Sequence, residues 1–376
     1  MGSIEKRVRN GKVTWLARWR DPAGEQHKKS CARKLDAERW LNGVEHDKQT
    51  GRYVDSARSR ITVGAWAHQW LATQVQLKPS TRTRYEGLVR KQVLPRWEKV
   101  PLAKVGHADV AAWVADLGAG GLAAATVRQA HRVLSLMLAL AVRDGRLPRN
   151  PAEGVPLPRA ARGEPRFLTR SQVAALAGEA GEYGIVVDVL ALVGLRYGEI
   201  AALRVGRVDL LRRRLTVAES VTEVGGRPVW GTPKTHQRRT VPIPLALVDR
   251  LAEQVTGKEP DALVFTAPKG GPLLLQSFRR RCFDPAVTRA GLDGLTPHDL
   301  RHTAASLAVA SGANVKAVQR MLGHASAAMT LDIYAGLFDD DLESLAQRMD
   351  EAAAADVPPA RPKATVTALT RRDTSH

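Results

Sequence analysis

Residues 155–165 read VPLPRAARGEP, with three prolines, two arginines and no hydrophobic period. Proline fixes φ and lacks the N–H that helices and sheets need, so no regular element crosses such a stretch. A chain of 376 residues broken there cannot share one core. It must fold as separate domains joined by a linker over residues 156–165.

The two sides of that break differ in pattern. Before it, residues 1–60 read as strand, strand, strand, helix. Asn10-Gly11 is a hairpin turn signal, Asp21-Pro22-Ala23-Gly24 marks a second turn, and Asp36 can cap a helix that ends near Gly51. Trp15 and Trp19 alternate away from Leu16, so one sheet face can pack the helix around Trp40 and Leu41. Lys12, Arg18, Arg20, Lys28 and Lys29 could form a basic ribbon for a DNA groove, and the same small sheet could equally be a protein-interaction module. Residues 61–155 carry helical periods. Trp66, Trp70 and Leu71 mark residues 62–74, Ser80 can cap the next helix, and residues 107–117 and 122–144 follow. Val127, Leu134, Leu138 and Val142 form a stripe; Arg82, Arg84, Arg90, Lys91, Arg128 and Arg132 form a charged face that either meets solvent or phosphate. After the linker, helices and short strands mix. Ser171 can cap a helix, residues 184–193 form a buried helix closed by Gly194, three short strands follow, and helices resume at Gln276. Residues 351–376 read as a disordered tail.

The charge follows the same division. The net charge is +19, from 57 Lys and Arg against 38 Asp and Glu. Residues 1–60 carry 15 basic and 8 acidic residues, residues 61–155 carry 13 and 6, and residues 156–350 carry 25 and 21. A polyanion such as nucleic acid is the default partner for the first two segments. The third is nearly balanced, so its role cannot rest on charge alone. Other classes drop out. The apolar runs 133–142 and 185–195 are too short to span a bilayer, and the charged start MGSIEKRVRNGK has no apolar signal core. Cys31 and Cys282 make neither a disulfide framework nor a CxxC pair.

Four short constellations lie in the last segment. Gly194-Leu195-Arg196-Tyr197-Gly198-Glu199 places an arginine between two glycines that allow close backbone approach. Thr232-Pro233-Lys234-Thr235 puts a lysine on a hairpin tip. In Thr296-Pro297-His298-Asp299-Leu300-Arg301-His302, Thr296 is an N-cap, Pro297 suits the first helical position, and Asp299 completes a capping box. His298 and Arg301 then share one face of the first turn, where the helix dipole favours an anion. Asp299 and His302 fall elsewhere on the wheel and can be structural. Last, Leu322-Gly323-His324 is followed ten residues later by Tyr334, with Ser326 able to cap the short helix between.

Each motif alone is weak. In order they are GLRYGE, TPKT, HDLRHT, LGH and a final tyrosine, and in that order the chain resembles the tyrosine recombinases, the phage integrase family. The resemblance fills six active-site positions: Arg196, Lys234, His298, Arg301, His324 and Tyr334. It implies a mainly α fold with small β-sheets in three domains: a three-stranded sheet plus helix over 1–55 for arm-type DNA sites, a helical core-binding domain over 61–155, and a mixed α/β catalytic domain over 166–350. It implies a site-specific integrase that cuts DNA through a 3′-phosphotyrosine at Tyr334, with Lys234 protonating the leaving 5′ oxygen; by their own chemistry the two arginines suit the phosphate oxygens and His298 the role of base. It further implies no cofactor, metal or nucleotide, double-stranded attachment sites as substrate, a homotetramer on DNA, a host DNA-bending factor and an excisionase as helpers, and a cytoplasmic, nucleoid-associated location in a bacterial host. The helix expected at 341–349, with Leu342, Leu345 and Met349 in a stripe, could dock in cis or on a neighbouring protomer. A resolvase-type recombinase or a DNA-relaxing enzyme would use the same chemistry. A regulator without activity would not need all six positions. A metal nuclease built on Asp339-Asp340-Asp341 competes with a plain helix-capping role for those acids.

Overall fold

Asn10 and Gly11 hold φ of 51° and 73°, the pair of left-handed residues that closes a tight antiparallel hairpin. In the computed structural model this turn joins β1 (Ser3–Arg9) to β2 (Lys12–Arg20), and β3 (Gln26–Cys31) pairs on the far side of β2. The structure describes residues 2–21, 24–50, 53–54, 58–160, 166–233 and 238–334. The chain divides into two units, Met1–Gly163 and Glu164–His376.

In the first unit, α1 (Lys34–Gln49) covers one face of the sheet, with Trp19, Leu41 and Val44 buried together against Ile4 and Tyr53. Arg33 is the N-cap of α1 and Asp36 sits in its first turn, so Asp36 favours the helix through its charge rather than as the cap. Register splits the basic residues between the faces. Arg18 lies opposite Lys28, whereas Lys29 lies opposite Ala17, and the Lys29 ammonium sits 3.2 Å over the Trp40 ring on α1. Lys29 therefore leaves the ribbon. Arg7 and Arg9, opposite Thr14 and Lys12, join it instead.

Helices α2 (Val63–Thr73), α3 (Pro79–Leu88), α4 (Leu94–Trp97), α5 (His107–Ala119) and α6 (Ala124–Arg143) surround a second core. Thr62 caps α2 by accepting from Ala65 N–H. Ser80 does not cap α3: Lys78 is the N-cap and Pro79 takes the first turn, where its missing N–H costs nothing. Val127, Leu134 and Leu138 of α6 are fully buried, while Arg82, Arg84, Arg90, Lys91, Arg128 and Arg132 are exposed.

The second unit is built round α8 (Gly184–Val193), apolar on every side save Asp188 and packed against α7 (Arg170–Glu179) and α13 (Pro297–Ala310). Each buried valine, leucine or isoleucine there contributes about 1.5–3 kcal/mol. Thr169, not Ser171, caps α7 in a capping box with Gln172. Between α8 and α13 run α9 (Tyr197–Ile200), β4 (Val208–Asp209), β5 (Arg214–Val217), β6 (Ser220–Val224), β7 (Arg227–Gly231), β8 (Arg239–Pro242), α10 (Val248–Val255), α11 (Leu275–Phe278) and α12 (Asp284–Arg289). The strands form a β4-β5-β8 sheet and a β6-β7 hairpin, all antiparallel. Two short helices follow α13: α14 (Val315–Leu322) and α15 (Ala327–Tyr334). No helix among the described residues is long and apolar enough to cross a membrane. Lys234, Asp339-Asp340-Asp341, the expected helix at 341–349 and the tail at 351–376 lie outside the described residues.

Candidate active site

Helix α8 ends at Gly194, whose φ of 72° turns the chain sharply so that Arg196 becomes the N-cap of α9. Gly198, inside α9, has a different role. A Cβ there would lie 2.5 Å from the Val221 carbonyl oxygen on β6, so glycine lets this helix lie on that strand.

Arg196 is fixed from within its own turn. Its backbone N–H donates to Glu199 Oε2 at 2.9 Å, and its Nη1 donates to Glu199 Oε1 at 3.0 Å. Glu199 is 2% exposed, and β8 supplies its second partner. Arg239 Nη1 and Nη2 donate to the two carboxylate oxygens at 2.8 and 2.5 Å, a two-pronged fork. Burial pushes the Glu199 pKa up, but the Arg239 and Arg196 contacts outweigh it, and the net shift is downward. Glu199 therefore stays ionised.

Arg301, on α13, is 2% exposed. Its Nη1 donates to Gly194 O at 2.5 Å and its Nη2 donates to Leu322 O. Burial and the neighbouring Arg196 pull its pKa down to about 9, so it remains charged at neutral pH. Three guanidinium groups thus meet at the end of α14. Arg239 Nε donates to Met321 O at 3.2 Å, Arg301 to Leu322 O, and Arg196 Nη2 to Gly323 O at 3.2 Å. Those successive carbonyls form the negative end of the helix, where cations are favoured. Gly323 is required twice over: its φ is 64°, and a Cβ would lie 2.8 Å from Arg239 Cδ. Three cations around one buried carboxylate leave an excess of positive charge suited to an anion.

The helix cap beneath His298 forms with the expected residues. Thr296 donates from both its N–H and its hydroxyl to Asp299 Oδ2, each at 2.7 Å. One turn on, His302 meets His298 edge to face at 4.8 Å between ring centres. His302 Nδ1 lies 2.7 Å from Tyr334 Oη. Tyr334 is 1% exposed and packs with Ala305, Val309, Val318 and Leu322. Burial pushes its pKa up to about 12, against the pull of Arg301. His324 Nδ1 lies 3.0 Å from Thr330 Oγ1, and burial with nearby arginines holds the His324 pKa down to about 4. Its imidazole is neutral at pH 7.

Of the six residues singled out in the sequence, Arg196 and Arg301 converge directly and His324 follows the glycine that they and Arg239 surround. Tyr334 joins through His302, which also meets His298. Lys234 is outside the described residues. Sequence reasoning passed over Arg239, Thr330 and the contact of His302. The i, i+4 spacing of His298 and His302 was visible, but the position of α15 against them was not. For a metal, one trio among the described residues brings ligand atoms within 4.8 Å of one another: Asp21, Glu25 and His27, in the first unit. Its contacts are those of a turn, since Asp21 Oδ1 accepts from Glu25 N–H and Oδ2 lies 3.1 Å from His27 Nε2.

Comparison with known proteins gives the family of the chain. The pattern of the phage integrase family matches residues 166–340. An integrase of Mycobacterium phage D29 is 30% identical over 332 residues, covering 85% of each chain. A tyrosine recombinase XerC of Mycobacterium sp. (strain KMS) is 29% identical over 286 residues, 70% of this chain and 90% of that one. Among solved structures, the Tn1549 transposon integrase in complex with transposon right end DNA superposes with a TM-score of 0.65 at 22% identity, over 76% of this chain and all of that one. A lambda integrase dimer bound to a COC′ core site gives 0.59 at 16% identity, over 87% and 93%.

Proposed function

Because this chain belongs to the phage integrase family of tyrosine recombinases, which break and rejoin DNA, we propose that it is the site-specific integrase of a phage or other mobile element, with Tyr334 as nucleophile. Tyr334 Oη attacks a backbone phosphorus and the P–O5′ bond breaks, giving a 3′-phosphotyrosine and a free 5′-hydroxyl. A 5′-hydroxyl from a partner strand then reverses the step on a new strand. The ester keeps the bond energy, so rejoining draws on no nucleotide.

Arg196 and Arg301 bind the non-bridging oxygens. Each guanidinium has five N–H donors, and the contacts described above leave some of them for phosphate. Preorganised donors of this kind typically contribute ~3–4 kcal/mol each to the transition state. His298 and His324 add donors. In the tautomer whose Nδ1 accepts from Thr330 Oγ1, 3.0 Å away, Nε2–H of His324 is the donor. Lys234, by its place in the TPKT motif, protonates the 5′ oxygen. The observation that carries this reading is the meeting of Arg196 and Arg301 on the end of α14, with Tyr334 bonded to the helix that bears Arg301.

Residues 1–55 and 61–155 are proposed to hold arm and core DNA sites through their basic faces, with residues 166–350 cutting within the core site. A homotetramer on paired attachment sites is the proposed assembly. The lambda integrase tetramer on a Holliday junction, 17% identical, supports it by analogy of fold. A host DNA-bending factor and an excisionase are proposed helpers, and the bacterial nucleoid the proposed location.

The test uses a core-site duplex recovered from the DNA flanking the gene, nicked just 3′ of the cleavage position so that the 5′-hydroxyl fragment diffuses away. Wild type is expected to accumulate a covalent protein–DNA product and Tyr334→Phe none. Covalent product from the Phe variant would overturn the assignment.

A further inference from the structure

We propose that His302, in place of the His298 expected from the sequence, is a catalytic residue: it takes the Tyr334 proton as the nucleophile attacks and returns it when the tyrosine leaves. The proposal rests on the reading of Tyr334 as nucleophile and extends it to the residue touching the reacting atom.

Tyr334 Oη and His302 Nδ1 are 2.7 Å apart, the reach required of a general base. The two rings are tilted by 59° with centres 5.7 Å apart, so Nδ1 meets the hydroxyl at the ring edge rather than through stacking. The proposed base is the tautomer with the ring proton on Nε2, in which Nδ1 accepts from the Tyr334 hydroxyl. The groups facing His302 are His298 and Asp299 one turn back on α13, Arg301 beside it, Tyr334 of α15 and His324 beyond α14. Burial and then His298 hold its pKa below the ordinary histidine value, with Asp299 opposing them and Arg301 adding to them. The imidazole is therefore neutral and open to a proton at pH 7.

Tyr334 needs such a partner. With its pKa pushed up to about 12, roughly one molecule in 10⁵ would carry the phenolate unaided at pH 7. Transfer must accompany attack. As the Oη–P bond forms, the Oη–H bond breaks and its proton moves to Nδ1, while the P–O5′ bond breaks and the 5′ oxygen takes a proton from the general acid. In rejoining, a 5′-hydroxyl gives its proton back to that acid and attacks phosphorus. The Tyr334 oxygen leaves and recovers the proton from His302. Because Arg301 is the preceding residue, one helical turn of α13 holds both a phosphate ligand and the base, and their spacing is set by the helix.

The experiment compares full-length His302→Asn, His302→Ala and wild type on the nicked core-site duplex. Asparagine keeps a hydrogen-bonding atom near the Nδ1 position but takes up no proton. With DNA binding by gel shift and the thermal melt unchanged, covalent product is expected to form at least 100-fold more slowly in both variants, with added imidazole restoring the Ala variant at least tenfold. An Asn variant within threefold of the wild-type rate would overturn the proposal, since hydrogen bonding alone would then suffice. Tyr334→Phe is run beside them. Covalent product from that variant would mean failure of the nucleophile reading, an outcome distinct from a fast Asn variant.

Discussion

The sheet of residues 3–31 and the cluster around Glu199 use the same cations in opposite ways. On the sheet, Arg7, Arg9, Lys12, Arg18, Arg20 and Lys28 lie along one face, and Glu5 alone among their described ion-pair partners answers them, bridging Arg18 at 2.7 Å and Arg7 at 3.4 Å. Most of those side chains stand in water, so each interacts weakly and the total matters. Around Glu199, Arg196, Arg239 and Arg301 are fixed by hydrogen bonds to a buried carboxylate and three successive carbonyls. There, position matters and number does not. The division of charge along the chain, heavy before residue 155 and nearly balanced after it, reflects this difference in physics.

The comparison breaks most readily at Glu199. Glu199→Ala strips a buried carboxylate from two arginines and should cost about 3–5 kcal/mol of stability, seen as a large fall in the melting temperature. A melt within a degree or two of wild type would mean that the cluster is not held by this charge. Next comes Arg196→Lys. It keeps the charge but loses the fork, so DNA affinity should hold while single-turnover cleavage falls by an amount equivalent to ~3 kcal/mol. An equal loss in affinity and rate would place Arg196 among the merely electrostatic residues of the sheet type.

A smaller effect follows from pH. His324 has a folded pKa of about 4 and an ordinary unfolded value of 6.5, so between those limits the unfolded chain binds the extra proton. Its contribution is complete above pH 6.5 and is lost as pH falls towards 4. Allowing for its partial exposure, the loss is about 2 kcal/mol. Melting temperatures of wild type and His324→Gln, followed from pH 7.5 to 4.5, should converge at the acid end; parallel curves would contradict the shift. The smallest effect belongs to the sheet. Arg18→Ala should leave cleavage of a core-only duplex unchanged and lower the salt slope of arm-site binding by about one unit. A cleavage defect from that change would erase the distinction between the two regions.

What could be read in the sequence was local. The Asn10-Gly11 hairpin, the Thr296 and Asp299 cap, the largely apolar α8 with its closing Gly194 and the short helix ending at Tyr334 each depend on neighbours within a few residues. Cap positions slipped by two or three residues at Asp36, Ser80 and Ser171. Several polar residues there compete for the cap, and the chain path chooses among them, as Pro79 does by taking the first turn. What could not be read was the pairing of distant segments. Nothing in RRTVPIP announces that Arg239 will fork onto a carboxylate forty positions earlier. Lys28 and Lys29 look alike until the register sends them to opposite faces. His302 looked structural because the helical wheel places it without showing that α15 ends against it.

The most direct measurement is the identity of the residue that carries DNA. Wild-type protein trapped on the nicked core-site duplex, digested and sequenced by mass spectrometry, should yield one DNA-linked peptide with the modification on Tyr334 and the phosphate on the 3′ side of the break. A link at any other residue, or a break that leaves a 5′-phosphate on the protein, would contradict the placement of the nucleophile beside His302 and the arginines of α9 and α13.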